Sequence, residues 1–141
     1  MMIPLGAIIL SLFLVTTAHA ISIEARLIRG TNAQGVTDER LKQLAPKLKK
    51  VFGYANYQQL GLQQENLKPQ ERLALNLGEG FALFVLPKPS QSKLHELELE
   101  LTSGKAPVVK TAVKVPANRA IFIKGPEVGS SLIIVAITVV E

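Results

Sequence analysis

The sequence predicts a mainly β protein with one helical segment: an antiparallel β-sandwich of seven or eight strands, with the helix inserted after the first strand. Three observations lead there. Past Gly53 the apolar residues recur with period two in a series of short runs, as half-buried strands require. Turn-forming residues separate these runs at the short intervals typical of sandwiches and barrels. A single stretch, VTDERLKQLAPKLKKVFG, carries apolar residues at helical spacing instead.

The chain has 141 residues, the size of one domain. It begins MMIPLGAIILSLFLVTTAHA, where the apolar run Ile8 to Val15 is much shorter than the roughly 20 residues a membrane helix needs. Ala18-His19-Ala20 then supplies a small-x-small cleavage pattern. Residues 1–20 are therefore predicted to be a secretory signal peptide and residues 21–141 a single β-sandwich-like domain. The expected destination is the periplasm or the medium, after cleavage following Ala20. No Lys or Arg precedes the apolar run, so retention as an N-terminal membrane anchor is the alternative.

In the mature part, Ile21-Ser-Ile-Glu-Ala-Arg-Leu27 alternates as a strand, and Gly30 to Gly35 is a loop by composition. The helical stretch follows. Thr37 is the expected N-cap, with Asp38 and Glu39 at the positive helix end and Val36 and Leu41 at the staple positions on either side. Leu41, Leu44, Leu48 and Val51 or Phe52 form the apolar stripe, and Gly53 suits the C-terminal cap. Pro46 cannot donate to the carbonyl of Lys42, which predicts a kink or two short helices meeting there. The strands expected next are Tyr57 to Glu65, Glu71 to Leu77, Phe81 to Leu86, Lys93 to Thr102, Pro107 to Val115, Ala120 to Ile123 and Leu132 to Val140. Gly78-Glu79-Gly80, Ser103-Gly104 and Gly125-Pro126 are among the turns between them. Leu132 to Val140 is apolar on both faces and β-branched, the composition of a central strand covered on both sides, most simply with the helix over one.

The segment KLHELELELTSG places a histidine among three glutamates, residue types that bind metals and move protons. Strand geometry separates them: Leu97, Leu99 and Leu101 share a face with His95, and Glu96, Glu98 and Glu100 project from the other. Pairing this strand with the next in a hairpin brings the apolar faces together only if paired residue numbers sum to an even value. A sum of 210 sets Leu99 against Thr111, Leu97 against Val113, Glu100 against Lys110 and Glu96 against Lys114. The glutamates then read as the solvated face of a hairpin beside lysines. His95 reads as a rim residue.

Composition excludes several chemistries. Cysteine is absent, so disulfides, thiolate metal sites and thiol catalysis are ruled out. An exported chain without cysteine suits a bacterial envelope. The serines beyond residue 20 have only His95 as a candidate base, and none stands in a G-x-S-x-G turn. Gly78-Glu-Gly80 and Gly125-Pro-Glu-Val-Gly129 lack the Gly-Lys-Ser/Thr ending of a phosphate loop. Glu24, Glu65, Glu71 and Glu79 form no pair that spacing singles out. Neither catalytic residues, a metal nor a cofactor is expected.

All 16 basic and 11 acidic residues lie beyond residue 20, a net charge of +5. The balance serves solubility and also suits an anionic partner. Arg40, Lys42, Lys47, Lys49 and Lys50 are the candidate contacts for an anionic membrane surface or polymer. Export argues against nucleic acid, and Phe52 belongs to the apolar stripe rather than to a base-stacking surface. No pattern in the chain specifies an oligomeric state.

The stretch LKKVFGYANYQQLG combines a basic helix end with Phe-Gly-Tyr-x-x-Tyr-x-x-Leu-Gly, and a Lys-Pro-Gln-Glu turn into an alternating strand follows. In this it resembles a group of small exported bacterial proteins of uncharacterised function. The resemblance covers most of the mature chain. It implies a helix packed on a β-sandwich in an envelope or secreted protein and brings no catalytic residues with it.

The expected function is a non-enzymatic interaction module whose partner is another envelope protein, with specificity in edge strands, loops and the basic helix. Two other classes are distinguishable from it. A cell-wall- or lipid-directed hydrolase, with carboxylates from separate strands, would show a cleft holding two carboxylates and no basic partners. A membrane-surface protein would dock through the basic helix, and its attachment would weaken with salt.

Overall fold

The computed structural model describes residues 21–141, and the export signal predicted over 1–20 lies outside the described residues. Eight antiparallel strands form two four-stranded sheets, with β1 at Ser22–Thr31, β2 at Asn56–Asn66, β3 at Leu73–Gly78 and β4 at Phe81–Lys88. The others are β5 at His95–Ser103, β6 at Ala106–Val115, β7 at Ile121–Val128 and β8 at Ser131–Val140. The first sheet has the order β2-β1-β8-β7; the second is the meander β3-β4-β5-β6. The protein is a β-sandwich, with its one helical segment between β1 and β2.

Alternation puts Ile23, Ala25 and Leu27 of β1 and Ile133, Val135, Ile137 and Val139 of β8 on the inner face of the first sheet. Leu75, Leu83, Val85, Leu97, Leu99 and Leu101 of the second sheet close over them. A second, smaller cluster lies on the outer face of the first sheet. There Ile28, Tyr57, Leu132, Ile134 and Ala136 are covered by Leu41 and Leu48 of the helical segment. Strand β8 is thus buried on both faces, which is why its composition is apolar throughout.

The β5–β6 register pairs Leu99 with Thr111, Leu97 with Val113, Glu100 with Lys110 and Glu96 with Lys114, the pairing set by a sum of 210. Leu97, Leu99 and Leu101 are buried and Glu98 is exposed. The cations nearest the glutamates differ from the expectation, however. Arg72 reaches Glu100 and Lys88 reaches Glu98, each at 3.4 Å. Lys110 and Lys114 face their glutamates across the ladder without closing to ion-pair distance. Long exposed side chains gain too little from such a pair, roughly 0–1 kcal/mol, to hold one geometry.

Three further details depart from the sequence reading: the place of Gly125-Pro126, the cap of the helical segment and its staple. Gly125-Pro126 does not end a strand: β7 runs through it, with the register shifting between Lys124 and Glu127. A Cβ on Gly125 would lie 2.8 Å from the Ile133 carbonyl oxygen, so this bulge needs a residue without one. The helical segment is also split, as Pro46 predicts, into a 3-10 turn η1 at Glu39–Leu41 and a helix α1 at Ala45–Phe52 with the proline in its first turn. The cap of the first piece is Asp38, not Thr37. Val36 is 84 % exposed, so the staple does not form. Gly53 does cap α1, in the left-handed conformation at φ 74°.

Tyr57 is the bolt of the helix–sheet joint. Its hydroxyl donates to the Leu48 carbonyl at 2.9 Å and accepts from the Tyr54 amide at 3.0 Å. Both partners are backbone groups near the end of α1, and burial pushes the phenol pKa up. Tyr57→Phe keeps the ring and removes a hydrogen-bond partner from both groups. The expected cost is about 1–3 kcal/mol in urea unfolding; an unchanged midpoint would show that water replaces the hydroxyl.

Candidate functional site

The five basic residues predicted to meet an anionic partner are placed by two short helical pieces on the outer face of the first sheet. An eight-residue helix is not stable by itself in water. Its position comes from Leu41 and Leu48, both fully buried against Ile28, Tyr57 and Ile134, with Leu44 and Phe52 at the margin. Phe52 meets Phe122 of β7 edge-on at 6.0 Å between centroids. The apolar stripe faces the sheet, so Lys42, Lys49 and Lys50 face away from it.

The structure divides the five by what they touch. Arg40 is engaged with Asp38, whose Oδ2 lies 2.6 Å from Nη2 while Oδ1 accepts from Nε at 3.0 Å. Lys47 donates to the Ala120 carbonyl at 3.1 Å, and its Nζ stands 5.3 Å from the centre of the Phe122 ring. These two cations tie the helical segment to the body of the protein. Lys42, Lys49 and Lys50 are exposed and, among the described residues, have no carboxylate within 4.0 Å. Lys42 and Lys49 share a shallow depression with Glu39, Pro46 and Thr37. Lys50 stands one turn beyond Lys47, on the neighbouring part of the helix surface.

Sequence reasoning passed over Asp38 as an organiser of this region. Its carboxylate caps η1 through the Arg40 amide at 3.0 Å and accepts the Gln59 amide of β2 at 3.3 Å. Its own amide donates to the Tyr57 carbonyl at 2.9 Å. Hydrogen bonding from Arg40 holds its pKa down at about 2 against an ordinary 3.8. A carboxylate whose pKa is depressed in the folded state stabilises the fold above its unfolded pKa. That contribution is lost as pH falls from about 4 towards 2. Asp38→Asn should therefore lower stability at neutral pH and flatten its decline between pH 4 and 2, measured by thermal unfolding at a series of pH values. A decline as steep as in the parent would assign it to other carboxylates.

Beneath η1, Arg26 of β1 bonds Glu24 at 2.7 Å and donates to the Gln59 side chain at 2.7 Å. Arg26 and Glu24 line, with Arg40, Lys42 and Glu39, a groove of about 540 Å³. On the second sheet, Arg72 lies 4.3 Å over the Phe84 ring beside Glu98, Glu100 and Lys110. His95 sits at the rim, its Nε2 2.6 Å from Glu141 Oε1. Among the described residues, five surface depressions that each hold two carboxylates also hold basic side chains. Among the described residues, no three His, Asp or Glu side chains converge as a metal site would require, and no helix is long and apolar enough to cross a membrane.

No family model, curated protein or solved structure matches this chain. The residues that carry the resemblance drawn from the sequence have structural work instead. Gly53 caps α1, Tyr54 and Tyr57 stack edge-on at 6.5 Å, and Leu60 packs against the inner core. Gly61 lets β2 pass β3.

Proposed function

We propose that this protein is an exported, non-enzymatic interaction module of the bacterial cell envelope, in the periplasm or outside the cell, whose partner is another envelope protein. The observation that carries the proposal is the mounting of α1. A dedicated apolar cluster and the Tyr57 hydroxyl hold a short helix rigidly on the sheet, with Lys42, Lys49 and Lys50 outward and without carboxylate partners. A rigidly mounted charged face loses little conformational freedom on binding. Export is supported by the pattern of residues 1–20 and by the absence of cysteine.

The test is a pull-down from envelope extracts with the parent and with a Lys42→Gln, Lys49→Gln, Lys50→Gln triple variant. A partner recovered with the parent at low salt and lost with the variant is the expected result. Repeated failure of the parent to retain any specific protein contradicts the proposal.

A second reading, docking on an anionic membrane surface, is favoured by Val51, which is 56 % exposed beside Lys50. An apolar side chain among lysines suits the headgroup boundary. Sedimentation with anionic vesicles separates the two: salt-sensitive binding, reduced by Val51→Ser, supports the membrane reading.

A further inference from the structure

The two sheets have four edge strands, and three of them are obstructed along part of their length. The first half of β2 is covered by the loop before η1, through bonds from the Asp38 amide to the Tyr57 carbonyl and from the Gln59 amide to Asp38. Beyond it Gly61 passes close to the Leu77 carbonyl of β3, while residues 62–66 are exposed and carry no lysine. Strand β7 is bulged at Gly125 and carries Pro126, which has no N–H to donate. Strand β6 also carries a proline, Pro107, and a bulge at Val108, but both lie at its start, and from Val109 to Val115 its pairing with β5 is regular. It has 10 residues, pairs only with β5, and is exposed along most of its length. Val109 and Val113 are only partly buried at the open margin of the core.

The outer face of this edge carries a pattern of charge. Glu96, Glu98 and Glu100 of β5 form one column, and Lys110 and Lys114 of β6 form the next. The column after that falls on a strand the chain does not supply. Lysines on an edge oppose pairing with a like strand. A second copy joined about a two-fold axis at Ala112 would set Lys110 directly against Lys114. The same lysines favour a strand with carboxylates at their own spacing of four residues, roughly 13 Å. Between them Ala112 lines the depression that reaches Leu86 and Phe84.

We infer that the free edge of β6 receives an extended acidic segment of a partner protein as a fifth strand of the second sheet. The inference rests on the interaction-module reading and names the surface and chemistry of one partner. Main-chain bonds to β6 supply the attachment, two carboxylates four residues apart meet Lys110 and Lys114, and an apolar residue between them lies over Ala112. Apolar side chains on the opposite face of the added strand cover Val109 and Val113.

The test uses the full chain and a synthetic peptide with two glutamates four residues apart in an otherwise alternating Thr/Val background, followed by NMR. Shift changes and slowed amide exchange confined to 109–114 are expected, with binding weakening as salt rises. Lys110→Gln with Lys114→Gln should weaken binding about tenfold, whereas the helix triple variant should leave it unchanged. A scrambled peptide with adjacent glutamates should not produce the exchange protection. No peptide binding, protection elsewhere, equal binding of the scrambled peptide, or a β6-paired dimer of the chain each overturns the inference. None of those results touches the pull-down that tests the interaction-module reading, so the two fail separately.

Discussion

Gly61→Ala is expected to destabilise the protein by about 3 kcal/mol or more, the top of the usual range for overpacking. That is a fall in Tm on the order of 10 °C for a domain of this size. A Cβ at position 61 would stand 1.8 Å from the Leu77 carbonyl oxygen and 2.9 Å from its carbonyl carbon. These are backbone atoms of β3, so no rotamer change relieves the overlap. The strands must part, and Leu60 and Leu77 beside the crossing lose part of their burial. Gly104→Ala is the matched comparison. Nothing lies within 4 Å of a Cβ there, and only the positive φ of 61° is unfavourable. That cost is about 1 kcal/mol. Thermal unfolding of the two variants should rank them in that order, and equal losses would mean that β2 and β3 do not meet at Gly61.

The second large effect is expected at Leu48. This side chain is fully buried between α1 and the outer face of the first sheet. Leu48→Ala should cost about 2–5 kcal/mol, with the higher values if the site cannot collapse around the smaller side chain. Collapse is opposed here by the strands beneath, which are fixed by their ladders, and by the Tyr57 hydroxyl, which bonds the carbonyl of residue 48 itself. Urea unfolding measures the loss. Binding of the proposed envelope partner should fall with it although Lys42, Lys49 and Lys50 are all intact, because their placement depends on this packing. Full binding at unchanged stability would show that α1 is not held in the way described.

Much of this architecture was legible because local rules suffice for it. Alternation marks the strands, and the β5–β6 register follows from matching apolar faces and a short turn. Pro46 announces the split between η1 and α1, and the composition of β8 announces a strand covered on both faces. What stayed hidden depends on distant contacts. The division of eight strands into two sheets is set by pairings such as β1 with β8, more than a hundred residues apart, on which local spacing is silent. Gly125-Pro126 looks like a turn because glycine and proline commonly make one. A bulge against Ile133 uses the same residues for a different reason.

The candidate site was legible in outline only. The run of basic residues is plain in the sequence, but their separate uses are not. Arg40 is drawn to Asp38, two residues away, and an N-cap carboxylate was a readable signal for that contact. Lys47 is drawn to Ala120 and Phe122, which the fold brings near from the far end of the chain. Lys42, Lys49 and Lys50 stay exposed and, among the described residues, without a carboxylate partner.

Both the exposed glutamate face and the lysine column on the β6 edge follow from one register. Inter-proton contacts by NMR across β5 and β6 measure it directly. Contacts of Leu99 with Thr111 and of Glu100 with Lys110 are the predicted result. Contacts of Leu99 with Lys110 or Ala112 in their place, or helical contacts within residues 95–101, would contradict the account.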